Sequence, residues 1–389
     1  MGHPHGMSAD AIVVGAGIVG AACAAELAAH GLTVDVLDAG GIGGGTTAAG
    51  MGHLVVMNDS PAEFALARYS RELWLELAPQ LRASDAFARC GTLWVAEDDD
   101  ELAAARDMCG AFRSDGVRAR MLDAAALRES EPALSHAMQG GLLVEDDGIV
   151  YAPGVAQWLL ARSPHAARIR VSTGCAVRAV RRGGVTLANG DERAAAHVVV
   201  ANGLAARDLL PGVPLAAKKG HLLVTDRYPG MIRHQLLELG YIKSAHHATG
   251  TSVAFNAQPR PTGQLLIGSS RQFDTLDPAV EMDVLAAMLA RAARYLPGLP
   301  ALNAIRAWTG FRAASPDGLP LIGAAAHASD EHRDDNGGGL WLAAGHEGLG
   351  VTTSLATAKL LAAQILKLDC VLSGDAFTPA RFSMEHADG

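Results

Sequence analysis

Cysteine is sparse in this chain of 389 residues. Cys23, Cys90, Cys109, Cys175 and Cys370 are odd in number and far apart, the shortest gap being the 19 positions from Cys90 to Cys109. That spacing fits neither a disulfide framework nor a Cys-x-x-Cys metal or iron–sulfur site. A reducing cytoplasm is the expected compartment. Aromatic residues are only 5% of the chain, and positive charge is outnumbered, with 32 Lys and Arg against 41 Asp and Glu for a net −9. Without a sequence-wide positive field, nucleic acid is not an expected partner. Long apolar runs are also missing: the longest, Ala11 to Ala25, stops at Glu26. It is too short and too glycine-rich for a membrane span of about 20 residues, so no transmembrane segment is expected. Met1 to Gly6, ahead of a second Met7, carry no signal-peptide core. They read equally as a cloning remnant or as native sequence and are left out of the fold.

Glycine, by contrast, is abundant: 44 residues, about 11% of the chain against a usual ~7%. Many backbone positions therefore need positive φ or a close approach. With 49% hydrophobic residues the chain is globular, and its length favours two domains or one large one. The first strand, Asp10 to Val14, is continuous in apolar character from Ala11 on, as expected for a parallel strand buried on both faces. A helix from Gly17 to His30 shows a small-residue face of Ala21, Ala24, Ala25 and Ala28, and Thr33 to Asp38 is a second strand, giving a βαβ unit. Phe64 to Leu81 carries a helical stripe, and Arg168 to Val180 and His197 to Ala201 read as further strands. Between Lys218 and Phe273, runs such as His221 to Thr225, Ser252 to Phe255 and Gln264 to Ile267 suggest an antiparallel sheet. The strand Gly339 to Ala344 leads through a glycine turn into a last helix, whose buried stripe is Val351, Leu355, Ala358, Ala362 and Ile365.

Gly15-Ala16-Gly17-Ile18-Val19-Gly20 is a GxGxxG placed directly after a strand and opening a helix. The first glycine makes the turn, the second admits a pyrophosphate to the helix N-terminus, and the third allows helix–strand contact. Asp38, eighteen residues after Gly20 and followed by Ala39, ends the second strand where a ribose would be held. The next segment, Gly40-Gly41-Ile42-Gly43-Gly44-Gly45-Thr46-Thr47-Ala48-Ala49-Gly50-Met51-Gly52, offers backbone N–H groups and hydroxyls to a pyrophosphate and the edge of a flat ring. His246-His247 has no third ligand at metal spacing, so no metal site is expected.

These segments, with Val198-Val199-Val200-Ala201-Asn202-Gly203, the stretch Trp308-Thr309-Gly310-Phe311-Arg312 running to Gly323, and Gly345-His346-Glu347-Gly348-Leu349-Gly350, resemble the FAD-dependent D-amino-acid oxidase superfamily in order and spacing. Within it, the chain looks most like the branch of glycine oxidase, hydrogen cyanide synthase and D-hydroxyproline dehydrogenase. The resemblance implies FAD as cofactor. It also implies an α/β architecture in which a Rossmann-like FAD domain (7–59, 150–214 and 306–389) is interleaved with an α+β substrate domain (60–149 and 215–305) built on a large antiparallel sheet. Val177 matches the adenine contact, and Gly45, Thr46, Thr47, Ala49, Gly50 and Met51 match the loop along pyrophosphate and flavin. Ala201, Asn202 and Gly203, and the terminus formed by Gly345, Glu347, Gly348, Leu349, Gly350, Val351 and Thr352, are further cofactor positions.

Arg312 matches the arginine that clamps a substrate carboxylate by a two-point fork, although Phe311 and Ala313 depart from the commoner pattern. His53 reads either as a ring contact to flavin or as a structural histidine. Tyr241 reads as a substrate-side tyrosine or ordinary packing, and His346 with Glu347 as tuners of the substrate amine or a solvated loop. The implied activity is oxidation of a small D-amino or cyclic imino acid by hydride transfer to flavin N5, as a dehydrogenase. It would pass electrons to a quinone, a dye or a partner subunit in a homo- or hetero-oligomer. An oxygen-using oxidase, a 2-hydroxy-acid dehydrogenase and a non-catalytic flavin subunit are the alternatives.

Overall fold

The computed structural model describes residues 9–240, 250–273, 275–325 and 338–382. Tyr241 and the His246-His247 pair lie outside them. Two eight-stranded sheets organise the chain. The first runs in the order Leu321–Ala324, Gly339–Ala344, Glu192–Val200, Ala9–Val14, Val34–Leu37, Ile169–Ser172. The four pairings from Gly339–Ala344 to Ile169–Ser172 are parallel, consistent with the apolar run Ala11–Val14, which is buried on both faces.

The segment 168–180 is broken into two strands by Gly174 at φ +65°, a left-handed conformation a glycine adopts without strain. Ile169–Ser172 joins the parallel sheet. Val177–Arg181 turns into a hairpin with Gly184–Leu187, which hangs on Glu192–Val200.

The second sheet runs Ala304–Ala314, Ala216–Arg227, Gln264–Arg271, Ser252–Pro259, Gln235–Glu238, Thr92–Ala96, Gly140–Val144, Ala119–Asp123. It is antiparallel except where Gln235–Glu238 lies parallel to Thr92–Ala96. That one junction splices the strands from before residue 150 onto those from after 215. The expected boundary at 306 falls inside the strand Ala304–Ala314, which pairs along its length with Ala216–Arg227. A two-stranded ribbon, His53–Leu54 with Gly148–Ile149, sits apart from both sheets.

The helix Ile18–Ala29 buries Ala21, Ala22, Ala24 and Ala28 completely or nearly so, letting it lie close against its neighbours. The last helix, Gly350–Leu366, is buried almost all round rather than along one stripe. It lies between Ile18–Ala29 and the helix Pro61–Leu77, so both sides meet protein. Its hydroxyl-bearing first turns pack there because their side chains are satisfied locally, Thr353 Oγ1 donating to Leu349 O and Ser354 Oγ to Val351 O, both at 2.9 Å. Among the described residues, no helix is long and apolar enough to cross a membrane, and no His, Cys, Asp and Glu cluster could hold a metal ion.

Candidate active site

The turn after Ala9–Val14 treats its three glycines differently. Gly15 sits at φ +109°, and a Cβ there would lie 2.6 Å from Ala201 O. A Cβ on Gly20 would run into Gly15 O. On Gly17, however, it would meet only Thr47 Oγ1, at 3.1 Å. The outer glycines are thus required by protein packing, and the middle one faces a cradle that a side chain would fill. The helix Ile18–Ala29 begins here with no capping side chain of its own. Thr47 supplies one from the glycine loop, its hydroxyl accepting from Ile18 N–H at 3.0 Å.

Asp38 closes the same turn, Oδ2 accepting from Ala16 N–H and Oδ1 from Gly40 N–H, both at 2.7 Å. Each oxygen keeps a second lone pair for a ribose hydroxyl. Cys175 N–H donates to Asp38 O at 2.8 Å and Gly174 N–H to Gly40 O at 3.0 Å, which brings the segment before Val177 beside this edge. On the other side, Ala201 N–H donates to Val14 O at 2.8 Å, and Asn202 Oδ1 is buried without a hydrogen-bond partner.

The glycine loop ends in a short helix, Gly45–Ala49, that crosses onto the second sheet. Thr46 Oγ1 donates to Phe311 O at 2.7 Å and Trp308 Nε1 to Ala49 O at 3.1 Å. A Cβ on Gly310 would collide with Ala49 Cβ. Met51 is buried against Leu222 and Leu266 of the same sheet. The loop is therefore clamped to the strand that carries Arg312.

Arg312 is half-buried. Its Nη1 donates to Ser270 O at 3.2 Å, and its guanidinium lies over Gly220, where a Cβ would come 2.7 Å from Nη1. A Cβ on Gly348 would lie 4.0 Å from Nε, so the guanidinium also borders the start of the last helix. That helix is capped by no side chain, and its positive end favours an anion nearby. Glu347, whose carboxylate lies within the field of Arg312, is held by Arg271 at 3.2 Å and Lys218 at 3.5 Å. Among the described residues, no carboxylate pairs with Arg312 itself, which leaves most of its fork open to a ligand. Burial alone would raise the Glu347 carboxyl, but Arg271, Lys218 and Arg312 together hold it below its ordinary value. Because Gly220 is the floor under the guanidinium, Gly220→Ala should swing Arg312 aside and raise KM for a carboxylate substrate on the order of tenfold. Bound FAD, read by absorbance, should be unchanged.

His346 is buried, with Nε2 3.0 Å from Thr357 Oγ1, and burial pushes the ring down to about 4. Its side chain anchors the turn to the helix rather than lying in solvent. An unfolded histidine takes a proton below about pH 6.5 that this folded ring refuses. Stability should therefore fall as pH drops from 6.5 to about 4, by roughly 3 kcal/mol. Urea midpoints of wild type and His346→Gln compared across that window should show the acid-dependent loss shrinking in the variant.

His53 follows the glycine loop, and its carbonyl accepts from Thr352 Oγ1 at 3.0 Å, in the first turn of the last helix. Its Nδ1 lies 2.6 Å from Gln235 Oε1. Burial holds the imidazole below its ordinary range against the opposing Gln235 bond, and the Arg260 and Arg312 charges add to the effect. Gln235, Lys218, Gly220 and Arg271 were not singled out by the sequence. The one available signal was a polar residue heading an apolar strand, as in Gln235-Leu236-Leu237.

The residues present fit a flavin dinucleotide: an open cradle at Gly17, a buried and partnerless Asn202 Oδ1, and an uncapped helix start beside a guanidinium that no described carboxylate pairs. Residues 10–364 match the family model of the FAD dependent oxidoreductases (DAO). The chain belongs to this family. FAD is its cofactor, and this FAD dependent oxidoreductase is 28% identical to hydrogen cyanide synthase subunit HcnC of Pseudomonas aeruginosa, with 97% of each chain covered. Glycine oxidase of Geobacillus kaustophilus is also 28% identical, over 91% of this chain and 92% of the relative. A crystal structure of glycine oxidase from Geobacillus kaustophilus superposes with a TM-score of 0.83 at 25% identity, covering 96% of this chain and 99% of the other. The α/β fold with a Rossmann-like FAD-binding part is thus that of the family.

Proposed function

We propose that this FAD dependent oxidoreductase oxidises the C–N bond of a small D-amino or cyclic imino acid, glycine-like or D-proline-like, with Arg312 holding the substrate carboxylate. The observation that carries this reading is the half-buried guanidinium of Arg312, unpaired by any described carboxylate and set between the glycine-loop contact at Gly310 and the last helix at Gly348. A two-point bond from that fork fixes the α-carbon in one place, which is where most of the catalysis would come from. Gly15, Gly17, Ile18, Val19, Gly20 and Thr47 would hold the pyrophosphate, Asp38 and Ala39 the ribose, and Val177 the adenine. Ala49, Gly50, Met51, the segment Ala201 to Gly203, and the Gly345–Thr352 terminus would line the flavin. Bound FAD supplies the oxidant for a two-electron removal at the substrate α-carbon. The helix end and the neighbouring cations would favour the negative charge that reduction brings. Tyr241 is read as a substrate-side residue, and His346 as a prop for the terminus.

The reading extends to a cytoplasmic dehydrogenase that passes electrons to a quinone or to a partner subunit. The described cysteines form no cluster able to hold an iron–sulfur relay within the chain. An assay of amine and 2-hydroxy-acid donors, following peroxide in air and reduction of an artificial dye, tests both parts. Amine donors with dye reduction faster than peroxide formation are expected. Turnover of 2-hydroxy acids alone would overturn the substrate class, and stoichiometric peroxide with no gain from dye would leave an oxidase.

A further inference from the structure

A line of buried polar side chains runs away from His53 into the protein. Gln235 Oε1 faces His53 Nδ1 at 2.6 Å, Gln235 Nε2 donates to Thr92 Oγ1 at 2.6 Å, and Thr92 Oγ1 donates to Asp147 Oδ2 at 2.6 Å. Asp147 is fully buried, facing Arg71 at 3.4 Å, and also accepts from Val56 N–H at 3.4 Å. Gln235, Thr92 and Asp147 are each 0% exposed. They come from three separate parts of the chain, brought together by the parallel junction between Gln235–Glu238 and Thr92–Ala96 and by the antiparallel pairing of Thr92–Ala96 with Gly140–Val144, just before Asp147.

The line has a direction. The Asp147 carboxylate can only accept, so Thr92 donates to it; Thr92 then accepts from the Gln235 amide N–H, which turns Gln235 Oε1 toward His53. An oxygen at that distance requires the proton on His53 Nδ1. The tautomer is thus set, and Nε2 is left as the lone-pair nitrogen. No hydrogen-bond partner among the described residues reaches Nε2. Gln258 Nε2 approaches the other ring nitrogen, at 3.4 Å. The charged groups whose fields reach the ring are Arg260 and Arg312, with Asp147 and Arg71 beyond the relay. A neutral imidazole in the field of two arginines is an acceptor rather than a cation.

We propose that His53 Nε2 takes the proton from the ammonium group of the substrate, and that Gln235, Thr92 and Asp147 are positioning residues that hold the imidazole in the tautomer able to do so. This rests on the amino-donor reading above. In the step, an N–H bond of the ammonium breaks and an Nε2–H bond forms. The electron pair left on nitrogen becomes the C=N π bond as the α-hydrogen leaves with its electrons to the flavin oxidant. The imidazolium then returns its proton to solvent. Amine deprotonation is required because an ammonium nitrogen has no pair to form that bond.

The test is the pH profile of kcat/KM for wild type, His53→Ala and Thr92→Val on an amine substrate, with binding of a carboxylate analogue lacking the amine measured by the flavin absorbance change. His53→Ala should lose about 100-fold or more at pH 7 and recover toward wild type as pH approaches the ammonium pKa of the substrate, where solution supplies the free amine. Thr92→Val removes one hydroxyl without changing shape and touches neither ligand. It should lower kcat/KM near neutrality with the same recovery at high pH. Analogue binding should stay within about twofold in both variants. A loss equal at all pH values, or no loss, would overturn the assignment while wild-type amine turnover left the functional reading intact. A wild type that turns over no amine at any pH would instead overturn that reading.

Discussion

Arg312→Leu is expected to lower kcat/KM on a carboxylate substrate at least tens-fold while the purified protein stays yellow. Removing one partner of a desolvated charge pair costs about 2–5 kcal/mol, and the leucine keeps the stem packing of the arginine while deleting its fork. Among the described residues the guanidinium gives one hydrogen bond, to Ser270 O, so little of the fold depends on it. The preference for a carboxylate should go with it: an amine lacking that group should be used about as well by the variant as by wild type. KM and kcat measured on matched substrates with and without the carboxylate provide the check. A variant that handles the carboxylate substrate like wild type would place the anchor elsewhere, and Arg271 or Lys218, both beside Glu347, would be the next to change.

The second large effect separates the cofactor from the fold. At Gly17 the backbone is extended, φ −67° and ψ 176°, which any residue adopts, and a Cβ meets only Thr47 Oγ1 at 3.1 Å. Gly17→Leu should therefore fold, yet fill the space a pyrophosphate needs, weakening FAD by at least about 100-fold. At Gly20 the added Cβ would strike Gly15 O. Gly20→Ala should thus lower the stability of the apoprotein itself, by about 1–3 kcal/mol or more. Flavin content after gel filtration and the melting temperature of FAD-free protein distinguish the two. Gly17→Leu should change the first and spare the second, whereas Gly20→Ala should change both.

Much of this was legible in the sequence because it is local. The turn at Gly15 to Gly20, the acid at Asp38 and the helix after Gly350 are written in short spans whose periodicity or spacing states the conformation. Arg312 was legible only through resemblance, since nothing in its neighbours shows that Gly220 lies beneath it or that no described carboxylate pairs with it. The break at Gly174 hid inside a segment of steady β character, because one glycine does not show that the chain changes partners. The relay behind His53 was not legible at all. Thr92, Asp147 and Gln235 are far apart in the chain; the parallel pairing in an otherwise antiparallel sheet brings Gln235 beside Thr92, and the antiparallel pairing of Thr92–Ala96 with Gly140–Val144 brings Asp147 there. The all-round burial of Gly350–Leu366 was missed for a related reason: its threonines and serine look solvent-facing until Pro61–Leu77 covers them.

The most direct test of amine oxidation by this chain is anaerobic: purified holoenzyme alone, mixed with a panel of D-amino acids, cyclic imino acids, glycine and 2-hydroxy acids, its flavin absorbance followed in time. Loss of the oxidised flavin band with at least one amino or imino acid, and none with the hydroxy acids, is the predicted result. Bleaching by hydroxy acids only, or by no donor although FAD is bound, would contradict it.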